Sequence, residues 1–160
     1  MSDSNNNPFW NYSLALYGDI EPWCLAMQNA HGANVNLLLF CCFAGSQGYQ
    51  LQAQHIEALD QVTDQWNSHV IKPLRGLRQQ LPEDQLGRDY DSARQLLLAA
   101  ELEAERYSQQ QIWNWWQSQC DTVEATNQQP VLANLMAYGQ SLSMPEPPAT
   151  VIDAALCMNI

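Results

Sequence analysis

Three histidines, five cysteines and seventeen carboxylates are the groups of this chain that could hold a metal or drive nucleophilic chemistry. Their spacing argues against both. His31, His55 and His69 form no HxxxH or ExxH pattern. His55 and His69 fall about 21 Å apart along one helix at a rise of about 1.5 Å per residue, too far to share an ion. Glu101 and Glu105 stand one helical turn apart, as the inward carboxylates of a di-iron bundle do, but the His three residues beyond a Glu that such sites use is missing. This pair therefore reads as a solvated acidic face. Cys24, Cys41, Cys42, Cys120 and Cys157 include no CxxC, and Cys41-Cys42 lies inside an apolar run where a thiolate is disfavoured. They read as free, reduced thiols. Neither GxSxG, GxxxxGK[ST] nor GxGxxG occurs, and Ser13 has no evident base. No catalytic residue, cofactor or metal is expected.

Three groups of side chains remain that could recognise something. The first is polar: Tyr12, Gln28, Asn34 and Asn36. A buried amide must find partners or cost about 1–3 kcal/mol. One account has Asn34 capping a helix and Asn36 bonding a loop carbonyl. The other is a small polar pocket between neighbouring helices. The second group is Lys72, Arg75 and Arg78, half of the chain's positive charge on one broad helical face. Such a ridge either pairs internally, with Glu83, Asp84 or the Glu101–Glu105 face, or meets an acidic partner. The third is Trp113, Trp115 and Trp116, which at about 100° per residue cannot all face one way. Part of that aromatic surface is exposed unless residues 130–160 cover it, and tryptophan is enriched at interface hot spots.

The elements that must position these groups are helices. Asn7-Pro8 reads as N-cap and first helical residue, with Phe9, Tyr12 and Leu16 inward and a stop at Gly18. Asp19 begins a second helix, Ile20 to about His31, that Gly32 ends. Asn34 caps a third, to Ala44, whose Leu37-Leu38-Leu39-Phe40-Cys41-Cys42-Phe43 is apolar all round and so belongs at the centre. A fourth starts near Gln52 and is kinked or broken by Pro73. Leu81-Pro82-Glu83-Asp84 turns the chain. The fifth runs from Tyr90 to about Cys120, with a stripe of Tyr90, Ala93, Leu97, Ala100, Ala104 and Tyr107 whose alanines would admit a close neighbour. Asn127 to Pro130 is a linker, a sixth helix covers Val131 to Tyr138, and Met144-Pro145-Glu146-Pro147-Pro148 is an extended breaker. Thr150 caps a last turn, Val151 to Cys157. The expected fold is all-α, a compact bundle of five to seven helices with the third (about 34–44) central. Its organisation is a polar tail (1–7), one helical domain (8–143) and a Pro-rich breaker with a short C-terminal helix (144–160).

Composition bounds the function classes. With 160 residues, 46% of them hydrophobic, the chain can bury a core. A net charge of −11, with only 6 cations, opposes nucleic acid and anionic membrane surfaces. The polar N-terminus lacks the basic region of a signal peptide, and the run Val35–Gly45 is about half the length of a membrane span. The expected location is the cytoplasm.

Three stretches resemble a proteobacterial family of short proteins catalogued as a domain of unknown function. They are Phe9-Trp10-Asn11-Tyr12-Ser13-Leu14-Ala15-Leu16-Tyr17; Cys24-Leu25 to Gln28 with Gly32 and Val35 to Cys41; and Pro73-Leu74-Arg75 with Ala100 to Arg106. The resemblance spans residues 9 to about 108. This chain departs from the pattern at Asn29 and Asn34, where members look acidic, so a role carried by an acid there would be missing. The resemblance supplies a fold and no chemistry.

Taken together, the residues point to a non-enzymatic helical module that binds another protein of unknown identity, in an unknown oligomeric state. The alternative is a small-molecule-binding or catalytic helical protein that uses a polar pocket near Asn36. An enclosed polar pocket there favours the second reading; an exposed apolar patch without one favours the first.

Overall fold

A computed structural model of the chain describes residues 7–81, 90–119, 123–125 and 129–158, with the side chain of residue 123 left out. The tail before Asn7, the turn beyond Leu81, Cys120 and residues 126–128 of the linker lie outside them. The fold is all-α. Among the described residues there are seven α-helical segments: α1 (Pro8–His31), α2 (Val35–Ser46), α3 (Ala53–Trp66), α4 (Lys72–Gln79), α5 (Asp91–Gln117), α6 (Pro130–Gln140) and α7 (Ala149–Leu156). A π-helical segment, Asn67–Ile71, joins α3 to α4 as one rod. The described sheet is a two-residue antiparallel ladder, β1 (Tyr49–Gln50) on β2 (Val123–Glu124), with Tyr49 opposite Glu124.

α2 is central, as its composition requires: Asn36 to Gly45 are all buried. A helix without a polar face must be covered on every side. α1, α5, α6 and α7 all pack against it. Phe40 and Phe43 carry much of this packing. Phe9 meets Phe40 edge-on with ring centroids at 5.2 Å, and Tyr12 meets Phe43 at 5.4 Å. α7 belongs to the same core through Val151, Ile152 and Ala155, and its N-cap is Pro148, two residues before the expected Thr150.

Two breaks expected from glycine and proline do not occur. Gly18 does not end the first helix, because α1 continues to His31. Phe9, Tyr12, Leu16, Ile20, Cys24 and Met27 form one uninterrupted buried stripe. Burying it outweighs the cost of an internal glycine, about 1 kcal/mol. Pro22 lacks the N–H that would bond Gly18, but both are exposed, so water can serve the Gly18 carbonyl. Pro73 likewise does not break its helix. The π segment before it, closed by the Lys72 N–H on the Asn67 carbonyl, adds a residue and lets the rod continue.

The alanine stripe of α5 is a further correction. Ala93, Ala100 and Tyr107 are exposed; the buried residues of this helix are Ala104, Ser108, Gln109 and Ile112. Periodicity identified a face, but alanine is also the strongest helix former and is favoured on an exposed face too.

The close approach in this bundle is between α2 and α6. A Cβ on Gly45 would stand 2.6 Å from the Val131 backbone, whereas one on Gly18 would meet nothing within 4 Å. Gly45→Ala is therefore expected to destabilise the fold by about 1–3 kcal/mol as the two helices are forced apart. Gly18→Ala should be neutral or stabilising by up to about 1 kcal/mol. Urea unfolding of the two variants checks this; equal midpoints would show that α2 and α6 do not meet so tightly.

Candidate functional site

The polar N-terminal end of α2 is where the core cannot be completed with apolar side chains. Asn34 is the N-cap, and its Oδ1 accepts from the Asn36 N–H. Its own N–H donates to the Tyr138 hydroxyl at 2.9 Å, and its side-chain amide donates to Thr63 Oγ1 at 3.4 Å. One residue thus ties α2 to α6 and α3. Asn36 lies two residues further on and is buried. Its Nδ2 donates to Glu105 Oε2, and its Oδ1 accepts from Gln109 Nε2 at 3.0 Å. The expected loop carbonyl is not its partner: Glu105 and Gln109, one turn apart on α5, present side-chain groups to it instead.

Glu105 draws in the basic residues of α4. Arg75 Nη2 donates to Glu105 Oε1 at 3.3 Å and its Nε lies 3.8 Å from Glu101. Arg78 takes both oxygens of Glu101 through Nε and Nη2. The two arginines of the ridge are therefore paired internally. Arg75 and Arg78 are partly buried, and only Lys72 of the three is exposed. Glu101 and Glu105 are partly buried as well, so they are not a solvated acidic face; Glu103, turned outward, is. Burial holds the Glu105 carboxyl above its ordinary value, and the hydrogen bond from Asn36 and the charge of Arg75 oppose that rise. Burial also raises Tyr17 to about 12, with Glu21 adding to the effect and Arg75 opposing it.

Between these groups lies a cavity of about 160 Å³. It is lined by Gln28 from α1, Gly32 to Asn34 of the connection, Val35 of α2, Asn67 of the π segment, Lys72 and Arg75 of α4, and Glu105 of α5. Gly32 and Lys72 are exposed, so it reaches the surface. Gln28 and Asn67 form no side-chain hydrogen bond among the described residues. Among the described residues the one side-chain hydrogen bond of Arg75 is that to Glu105, which leaves most of its donors without an acceptor there.

The four polar residues picked out by sequence divide here. Gln28 and Asn34 line the cavity, Asn36 holds one of its walls through Glu105, and Tyr12 is elsewhere. Tyr12 is fully buried and donates to the Ala155 carbonyl at 2.8 Å, pinning α7 to α1. Trp113, Trp115 and Trp116 are half-buried against the core: Trp116 meets Phe40 and Tyr49, Trp113 meets Phe43, and Trp115 meets His55. Much of the aromatic surface is covered by α2 and the residues just after it. Asn67 carried no signal in the sequence, because its role depends on a π turn that no local pattern announced. Asn134, fully buried on α6, was also missed. It accepts from the Leu51 N–H at 2.8 Å and donates to the carbonyls of Cys41 and Tyr49. Cys24, Cys41 and Cys42 are buried and free, with burial raising Cys24 and Cys41 to about 12, and Cys157 is exposed. No described helix is long and apolar enough to cross a membrane.

Fold and cavity together define an all-α protein with a polar opening between its helices. The chain belongs to the family described as a protein of unknown function, DUF2390, whose model matches residues 8–112. That span, from the start of α1 into the last turns of α5, contains every residue lining the cavity. No curated protein and no solved structure matches the chain.

Two outcomes follow from the ion pairs. Arg78→Ala removes both hydrogen bonds to Glu101 and should lower stability by about 1–3 kcal/mol, read from denaturant unfolding. Glu105 leads to a pH effect. Its folded value lies above 4.5, so folding takes up a proton between 4.5 and that raised value. Wild-type stability relative to Glu105→Gln should rise as pH falls through this window and stay level on either side. A wild-type advantage that shrinks with falling pH would contradict the burial of Glu105.

Proposed function

We propose that this protein binds a small polar molecule in the cavity between the end of α1, the start of α2, the π segment, α4 and α5. The observation that carries the reading is the set of polar groups left unused there: the Gln28 and Asn67 amides and most of the Arg75 donors around about 160 Å³ of space. A fold that needed these groups only for stability would have closed on them. The space suits about six to eight non-hydrogen atoms, since an apolar cavity of about 150 Å³ holds benzene. The π turn supports the same reading, because such turns recur at functional sites.

Docking of another protein is the second reading, and one observation favours it: Leu77 of α4 and Leu96 and Leu102 of α5 are exposed. The tryptophans and Arg78 no longer argue for it, since they are engaged within the chain.

A thermal-shift screen of small polar compounds tests the first reading. A ligand present at about one hundred times its Kd should add about 2.7 kcal/mol of stability. Asn67→Leu should abolish the shift and leave the unliganded protein folded. Stabilising compounds that act equally on Asn67→Leu would place binding elsewhere. If Leu96→Gln, and not Asn67→Leu, abolishes an interaction found in the native host, the docking reading holds instead.

A further inference from the structure

The charges around the cavity narrow what it can hold. Among its lining residues Lys72 and Arg75 are cationic and Glu105 is anionic, a surplus of one positive charge. Lys72 has no hydrogen bond or ion pair among the described residues; the carboxylate whose charge it feels is Asp60. Arg75 donates to Glu105 at 3.3 Å and its Nε stands 3.8 Å from Glu101, whose oxygens accept from Arg78, so most of the Arg75 donors form no hydrogen bond among the described residues. The two cations stand three residues apart on α4, and therefore on one face. Asn34 and Val35, at the N-terminal end of α2, also line the cavity, and a helix dipole favours negative charge at that end.

Resting on the cavity reading above, we infer that the ligand is a small organic acid with a single carboxylate. The carboxylate lies toward Arg75 and Lys72, and its hydroxyl or amide groups meet Gln28 and Asn67. A cationic ligand is disfavoured, because it would meet both cations, and each oxygen of Glu105 already accepts a hydrogen bond, from Asn36 and from Arg75. A dianion is disfavoured for the converse reason: it would overturn the surplus charge and face the Glu105 carboxylate. A monoanion leaves the cavity neutral, and a carboxylate matches the planar fork of arginine.

Titrations of isotope-labelled protein with glycerate, with its neutral counterpart glyceramide and with inorganic phosphate test this, followed at the amides of Gly32, Ala33, Asn34 and Val35. Glycerate should shift these amides saturably and bind more tightly than the other two. Lys72→Glu should weaken glycerate about fivefold or more. Lys72 is exposed and unpaired, so this variant keeps the fold. Should glyceramide bind as tightly as glycerate, or Lys72→Glu change nothing, the acid is excluded while the cavity reading stands. Tighter binding of phosphate than of glycerate would replace the carboxylate with a phosphoryl group. If none of the three shifts these amides, both the acid and the cavity reading fail.

Discussion

The hydrogen bond from Asn36 to Glu105 ties the apolar centre of this protein to its charged edge. Asn36 opens the run of α2 that is buried from there to Gly45, so water cannot serve its amide. The partners must come from a neighbouring helix, and α5 provides them with Glu105 and Gln109 one turn apart. That demand sets the rotation of α5. With residues 101, 105, 108, 109 and 112 turned inward, Ala93 and Ala100 are left facing water. A carboxylate in that place needs a cation in turn, so Arg75 is drawn to α5 and α4 with it. The cavity lies where these requirements meet, in a region that apolar side chains cannot fill without stranding an amide or a charge.

The π segment makes the arrangement reachable. Leu59 and Thr63 are the buried residues one turn apart on α3. Two turns of regular α-helix beyond Thr63 lead to about position 70. The buried residue there is Ile71, one further along. The extra residue of the π turn shifts the inward face by one position, so that Arg75 and Arg78, roughly one and two turns beyond Ile71, arrive on the side of α5. In an uninterrupted helix both would be rotated away from Glu105 and Glu101 by about a quarter of a turn. Pro73 is compatible with this because the hydrogen bonding of the rod is already rearranged just before it.

The helices themselves were legible because burial imposes a 3-4 spacing, and the central place of α2 was legible because no other segment is apolar on all sides. The Asn7 and Asn34 caps could be read from residue type alone. The positions of Gln28, Asn34 and Asn36 near one polar region followed from proximity along the chain. Tyr12 did not belong with them, because its partner, the Ala155 carbonyl, comes from a helix more than a hundred residues away. The inward face of α5 was misread for a related reason. Its stripe of alanines is regular, but the polar residues that face inward are chosen by Asn36 on another element. Gly18 and Pro73 illustrate a different limit: a long buried stripe outweighs the cost of Gly18, about 1 kcal/mol, and the π turn before Pro73 accommodates its missing N–H.

Balancing Glu105 accounts for one donor of Arg75 and not for the rest. Arg78 already joins α4 to α5 with two charge-assisted hydrogen bonds to Glu101, and Trp66 donates to the Ala104 carbonyl at 2.8 Å, so the rod is anchored twice without Arg75. Arg75 adds one bond of 3.3 Å, and its guanidinium must be largely removed from water to make it. Desolvating a pair of ions commonly offsets what their attraction returns. A chain with six cations places two of them in the wall of one small cavity, one exposed and unpaired, the other partly buried with donors to spare. Under the ligand proposed above, electrostatic preorganisation would account for that placement: the cost of holding a cation out of water is met during folding, and an anion could then be met without rearrangement.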